Sequence, residues 1–515
     1  MADLNQKLAA SLAVLEELQQ GGRRIFRTAE LSRYHRERLH HHGFLQPVMK
    51  GWWMSAGPGV LPGDTTLWYS CFWEFCALYC TDRFGSEWHL SPEQSLLILA
   101  EASAVPRQLV VYTPKGTNNQ IDLPHQTGIY DLKHDPMPPK EDLIDWGGLR
   151  LFALSVALIK APPSFYERHP VEAQVALASL RDVSDLLPRL LDGGHSVVAG
   201  RLAGAFRRIG RGDVADEIIA VMERAGFAVR ETDPFVSAHA PLVFRGFTPP
   251  IVSRLTAFWN AMRGPVEEVF PTPPGSAEDA FAYLRVVEDC YESDAYHSLS
   301  MEGYRVTPEL IHRVRAENWD PTGNESHRRD RDALAARGYW QAFQAVEVLL
   351  ERALNGEDPG PLLDAAHREW YRELFQPFVS VGLIMPGDLA RYRNEAVFLR
   401  GSRHVPPRPE VIREAMSALL DLIRAEEAAS VRAVLGHWMF GYIHPYPDGN
   451  GRIARFLMNV MLAWGGYPWT VIRVDDRKEY LAALETASVA SDIGPFAAFV
   501  ADRVRGQMAD PAVDA

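Results

Sequence analysis

The sequence predicts a mainly α-helical, multidomain protein: a helical C-terminal half carrying one β-hairpin, preceded by a small helix-and-hairpin module and a mixed α/β domain. Three observations predict it. At 515 residues the chain is longer than one hydrophobic core serves. Its composition, 47% hydrophobic and 23% charged, is that of an ordinary globular protein able to bury such cores. Helical periodicity fills most of residues 5–39 and 240–506, whereas short apolar runs broken by Gly, Pro and Asn dominate residues 85–135.

Residues 5–19 set Leu8, Leu12, Leu15 and Leu18 on one stripe, and Thr28 to Leu39 reads as a second helix with Thr28 as its cap. The string HHHGFLQPVMKGWWM then combines a glycine stop, short apolar runs and a Lys-Gly turn, so residues 1–84 read as a winged-helix-like module. Net charge is -13 over the whole chain, which argues against a protein that coats nucleic acid along its length. Residues 1–50 are nonetheless net positive, making the module a candidate for DNA contact or for protein docking. His40, His41 and His42 point in different directions on a helix end and read as surface residues, not as one metal site.

Residues 85–235 form the mixed α/β domain, β-rich to about 135 and helical from about 140 to 228. Cys71, Cys76 and Cys80 fall at helical intervals among Trp, Phe and Leu and read as buried core thiols, with Cys290 alone elsewhere. So few cysteines fit a reducing cytoplasm. The N-terminus lacks the basic start and apolar block of a signal peptide, and the most apolar stretch, Leu151 to Ile159, is too short for a membrane span. A cytoplasmic protein without membrane contact is expected. In pattern and order, residues 5–228 resemble the AbiEi-type antitoxin and regulator arrangement, a winged helix before an α/β domain.

A proline-bearing connector marks a boundary near residue 240, helices run to about 506, and residues 507–515 read as a frayed tail. Within this half, HPYPDGN separates two amphipathic helical stretches. His444 closes the first, and the loop returns to the N-terminus of the second, an anion-binding end. Gly449 and Gly451 admit a phosphate close to the backbone. Asp448 is a hard oxygen ligand suited to Mg, Arg452 and Arg455 lie one turn apart and can face one polyphosphate, and His444 can take a proton from an alcohol.

The string HPYPDGNGRIAR closely resembles the Fic motif, with Tyr446 in place of the customary Phe. The resemblance covers residues 240–506. It implies an all-helical Fic domain and a protein adenylyltransferase, a nucleotidyltransferase of the cytoplasm that uses ATP as co-substrate and Mg2+. It implies His444 as general base, Asp448 as metal ligand, Asn450 with Gly451 and Arg452 on the phosphates, and Arg455 on the terminal phosphate. A kinase branch of the family carries Lys where this chain has Gly451, so AMP transfer is the implied reaction.

Residues 391–412 alternate around a glycine turn and read as a β-hairpin, which the resemblance makes the flap that receives the target protein, with Val397, Phe398, Leu399 and Arg400 as the contacting stretch. Tyr480 fits the position bordering base and ribose; a second such position, Asn in the family, holds Ser488 here. Upstream, Ser298, Glu302 and Gly303 fit the pattern of a self-inhibitory helix over about 277–303. Glu302 paired with Arg455 then blocks the terminal-phosphate site. The insertion at residues 317–338 is given no catalytic role. The partners implied are ATP and a protein substrate, the chain itself included, and a homodimer is compatible with the reading. The alternative is a DNA-binding regulator that uses the Fic half as a nucleotide sensor or to remove AMP.

Overall fold

The computed structural model describes residues 2–59, 64–235, 246–275, 279–316 and 330–509. The start of the expected inhibitory helix at 277, the 240 boundary, most of the 317–338 insertion and residues 510–515 lie outside them. Contacts divide the chain into two units, Met1–Pro250 with Phe398–Val405, and Ile251–Val397 with Pro406–Ala515.

The first unit opens with α1 (Ala2–Leu18), β1 (Ile25–Arg27), α2 (Arg33–His41), β2 (Leu45–Met49) and β3 (Trp52–Ser55). The strands form an antiparallel sheet in the order β1-β3-β2, and the hairpin turns at Gly51 with φ of 92°. Leu15, Phe26, Leu31, Leu39 and Leu45 close one small core beneath it. The second helix starts later than Thr28. Ser32 is its cap, accepting from the His35 N–H at 3.2 Å, while Thr28–Glu30 forms a separate single turn.

Helix α3 (Thr66–Phe84) follows, and Cys71, Cys76 and Cys80 are core thiols there, as the spacing predicts. A four-stranded sheet comes next, from β4 (His89–Leu90), β5 (Gln108–Thr113), β6 (Asn119–Leu123) and β7 (Thr127–Lys133), with α4 (Pro92–Leu99) between its first two strands. Its order is β4-β5-β7-β6, and only β5 and β7 run parallel. The return to helix expected from residue 140 is delayed by a hairpin, β8 (Leu143–Trp146) and β9 (Leu149–Phe152). Its turn is Gly147-Gly148, both at positive φ, so two adjacent glycines were the available signal. Helices α5 (Leu154–Lys160), α6 (Pro163–Arg168), α7 (Pro170–Ala178), α8 (Leu187–Asp192), α9 (Ser196–Arg208) and α10 (Gly212–Arg224) complete the unit.

The second unit is helical: α11 (Pro250–Val269), α12 (Ala280–Met301), α13 (Pro308–Arg315), α14 (Arg331–Leu354), α15 (Leu363–Ser380), α16 (Ile412–Ala425), α17 (Ala429–Ile443), α18 (Asn450–Trp464), α19 (Arg477–Ala490) and α20 (Gly494–Ala509). Every residue of α17 except Gly441 is buried. A helix apolar all round has to be central, and α17 packs against α18 in the middle of the unit. Helix α12 is fixed to α14 by Tyr339, whose hydroxyl donates to Asp294 at 2.8 Å inside the core.

The expected β-hairpin at 391–412 does not form. The glycine turn is present, with Gly401 at φ of 76° and Ser402 N–H donating to Leu399 C=O, but no ladder flanks it. The polar backbone after the turn is spent within the first unit instead: Val105 N–H donates to Arg403 C=O at 3.1 Å and Val405 N–H to Ser103 C=O at 2.8 Å.

Buried histidines make the second unit acid-sensitive. Burial lowers His367 to about 4 and His437 to about 3, so both are neutral in the folded chain at neutral pH. Unfolded imidazoles take protons below about 6.5. The stability these two groups contribute is therefore full above that value and is lost as pH falls toward 4. Urea midpoints of the full chain are expected to drop steadily from pH 7 to pH 4; a flat profile contradicts the burial of both rings.

Candidate active site

Helix α17 ends at His444, which takes the left-handed conformation with φ of 51° and ψ of 60°. That conformation costs a non-glycine residue energy and is held by its surroundings. Its N–H completes the helix by donating to Phe440 C=O at 2.9 Å, and its ring Nδ1 lies 3.3 Å from Gly441 C=O. A carbonyl only accepts, so Nδ1 carries the proton and Nε2 keeps its lone pair. Burial lowers the imidazole to about 4, with Arg393 adding to the effect and the Gly441 carbonyl, Glu302 and Asp448 opposing it. His444 is thus a neutral acceptor at physiological pH.

The loop is braced from within. The Asn450 side chain accepts from Tyr446 N–H at 3.0 Å and donates back to Tyr446 C=O at 2.8 Å, clasping the turn. Its amide is therefore engaged in bracing the loop. Tyr446 stacks on Tyr371 at 3.8 Å, and its hydroxyl meets His367 Nδ1 at 3.0 Å. Gly449 sits at φ of 82°, a conformation that lets the chain enter α18 immediately after the loop.

Two groups at the start of α18 face opposite fates. Arg455 is fully engaged: Nε donates to Ser298 Oγ at 2.9 Å, and Nη2 donates to Ser298 C=O at 3.1 Å and to Glu302 Oε1 at 2.8 Å. Arg452 is fully buried, yet none of its three guanidinium nitrogens has a hydrogen-bond partner. It lies against the faces of Phe375 and Tyr304 and 3.4 Å from the half-exposed Asp448 carboxylate. A buried cation without hydrogen bonds is costly, and here the Asp448 carboxylate and the two ring faces are its surroundings.

Glu302 terminates α12, and Gly303 at φ of 91° turns the chain away there while Tyr304 N–H caps back to Leu299 C=O. Burial opposes the Glu302 charge, but Arg455 and Arg452 outweigh it and hold the carboxyl below its usual range. A methyl group placed on Gly451 collides with Glu302 Oε1, so the carboxylate occupies the space directly over that glycine. The structure thus brings together Ser298, Glu302, Gly303, His444, Asp448, Gly449, Asn450, Gly451, Arg452 and Arg455. Tyr480 is buried, its hydroxyl 2.8 Å from His437 Nε2, and both Arg455 and Glu302 influence its titration. Ser488 points into the core, accepting from Trp438 Nε1 at 3.0 Å. Of the predicted flap stretch, Val397 stays in the second unit; Phe398, Leu399 and Arg400 belong to the first, where Arg400 Nε lies 3.2 Å from Asp64.

Sequence reasoning missed Arg393. This buried side chain donates to four carbonyls, those of His444 at 2.7 Å, Glu395 at 2.8 Å, Pro407 at 2.5 Å and Ile443 at 3.4 Å, and its own N–H donates to Pro445 C=O. Burial lowers it to about 10, still charged. No local signal marks it, because it acts on His444 from 51 positions away. Arg393→Ala is expected to destabilise the chain by about 3 kcal/mol, read as a lower denaturation midpoint, because several buried carbonyls lose a charged donor. Lysine, a single point of charge, is expected to recover little of that loss.

Comparison with known proteins finds likeness in the region that holds this site. Residues 362–462, which include the whole loop and most of α18, match the model of the Fic/DOC family. Among curated relatives, the "Protein adenylyltransferase Fic" of Nematostella vectensis is 30% identical over 239 residues, 46% of this chain and 51% of that protein. The protein of the same name from Drosophila willistoni is 36% identical over 229 residues, 43% of this chain and 41% of that one. The chain spans about half the length, or less, of these relatives. Among solved structures, Fic-1 (aa134 - 508) from C. elegans covers 69% of this chain and 89% of its own length at 18% identity, with a TM-score of 0.36. No helix among the described residues is long and apolar enough to cross a membrane.

Proposed function

We propose that this chain is an autoinhibited protein adenylyltransferase that moves AMP from Mg-ATP to Ser, Thr or Tyr hydroxyls of target proteins and of itself. The observation that carries the reading is the buried guanidinium of Arg452 at the head of α18, which makes no hydrogen bond, one turn from Arg455 and directly after the loop that begins at His444.

The residues fit a magnesium-bound triphosphate. Asp448 is half exposed; Oδ1 accepts from Gly449 N–H at 2.6 Å and lies 3.4 Å from Arg452, and the other carboxylate oxygen is a hard donor suited to Mg. The N–H groups at the start of α18, with Gly449 and Gly451, favour phosphate, and Arg452 supplies a buried positive charge that makes no hydrogen bond within the chain. Bound Mg-ATP brings an α-phosphorus electrophile and a pyrophosphate leaving group. His444 Nε2 then accepts the proton of the attacking hydroxyl, and the two arginines offset charge on the departing side.

Autoinhibition follows from the same geometry. With Glu302 over Gly451 and paired to Arg455, a terminal phosphate has neither its cation nor its space. Ser298 holds that arginine on the inhibitory helix from a second direction. The test is ATP-dependent self-labelling of wild type and Glu302→Gly, with His444→Ala as the inactive control.

A DNA-bound regulator has the β1-β3-β2 sheet and the preceding α2 in its favour, since that order suits a winged-helix reader. Its cations count against it. Arg36 donates to Thr28 and Leu31 carbonyls, Arg38 to Lys7 C=O and Ser11 Oγ, and Arg33 pairs with Glu37. We therefore favour protein docking for this module. The full chain is expected to shift duplex DNA no more strongly at 50 mM than at 200 mM salt; a steep salt dependence restores the regulator.

A further inference from the structure

The second unit holds another concave site, built from residues that take no part in the loop or the inhibitory helix. It is a cleft of about 470 Å3 between α15, the segment before Tyr392, and α16. That is the size of a small-molecule pocket. Four guanidinium groups line it: Arg368, Arg391, Arg413 and Arg424. Only two acids, Asp364 and Asp421, share the lining, so the cleft is net positive on a chain whose total is -13. Met416 and Leu420 supply an apolar floor.

The arginines are tethered yet available. Arg368 pairs with Asp364 at 2.9 Å, Arg391 with Asp388 at 3.2 Å and Arg424 with Asp421 at 2.7 Å. Each pair is local, three or four residues apart in sequence, and each is about half exposed. Such pairs contribute little in water and yield readily to a better anion. Arg413 is exposed and, among the described residues, has no carboxylate within ion-pair distance. Planar guanidinium forks match phosphate oxygens two at a time. Four of them around one cleft call for several anionic oxygens, more than a single carboxylate presents.

We propose that this cleft binds a small molecule bearing two or more linked phosphates. Its position gives occupancy a route to the catalytic loop. Tyr392 forms part of the wall, with Arg368 over its ring at 5.0 Å. Its hydroxyl lies 3.4 Å from His367 Nε2, and the other ring nitrogen of His367 meets the Tyr446 hydroxyl inside the HPYPDGN loop.

The test is calorimetric titration of the full chain with inorganic pyrophosphate, and in a second arm with ADP, against the variant Arg413→Glu/Arg424→Glu. Both substituted side chains are exposed, and a thermal melt confirms that the variant folds. The expected result is that the variant loses one binding site per chain, or binds there at least tenfold more weakly. Loss in the ADP arm alone identifies a nucleotide; loss in both identifies the linked phosphates as sufficient. Superimposable isotherms for wild type and variant overturn the proposal, as does equal competition by citrate. Neither outcome depends on AMP transfer, so a failure of the enzymatic reading leaves this test intact.

Discussion

Glu302→Gly is expected to raise ATP-dependent self-labelling on the order of a hundredfold, the ratio that follows when a mostly blocked population becomes mostly open. The variant removes a carboxylate 2.8 Å from Arg455 and lying over Gly451, so it frees a cation and clears space together. Glu302→Gln separates the two effects. It keeps the bulk but removes the charge, and relief intermediate between wild type and glycine is the expected value. The ordering matters because Arg455 is also held by Ser298 through its side chain and its carbonyl. If those two bonds alone kept the arginine away from nucleotide, neither glutamate variant would label faster than wild type. Equal labelling across the three proteins therefore rejects autoinhibition by Glu302 while leaving the site chemistry standing.

That pairing was legible because the chemistry is written in a short string and one distant SxxxEG. Residues from His444 to Arg455 are close in sequence and are placed by one helix end and the next helix start, so local rules suffice. The supports were not legible for the same reason in reverse. Arg393 reaches His444 across 51 positions, and His367 reaches Tyr446 across 79. Such bonds depend on how helices pack, which no local pattern encodes. The second position after Tyr480 shows a further limit: Ser488 fits a spacing, but its hydroxyl is taken by the Trp438 indole. The hairpin failed on competition. Alternation around Gly401 is compatible with a hairpin, yet backbone groups at residues 403–405 pair with 103–105 instead, a partner some three hundred residues away. In the N-terminal unit the sheet order could not be read from the runs alone, since parallel pairing of β5 and β7 requires knowing what crosses between them.

In a Glu302→Gly background, His444→Ala is expected to lower labelling by about a thousandfold, the usual weight of a positioned general base. The pH dependence makes the assignment sharper than the substitution does. An ordinary imidazole loses its lone pair to a proton near 6.5. His444 is lowered to about 4 by burial, so the base stays competent well below neutral pH. Glu302 is among the groups that raise this value, and its removal shifts the acid limb further down, not up. The expected profile of the Glu302→Gly enzyme is therefore flat from pH 7 to about pH 5, with a one-proton fall near or below pH 4. His367 and His437 weaken the fold over the same range, so labelling rates are read in short pulses on protein shown by near-ultraviolet dichroism to be folded at each pH. A one-proton inflection near 6.5 in folded enzyme would mean that the titrating base is a solvated imidazole and would count against His444, whose Nδ1 is held at Gly441 C=O, as the base.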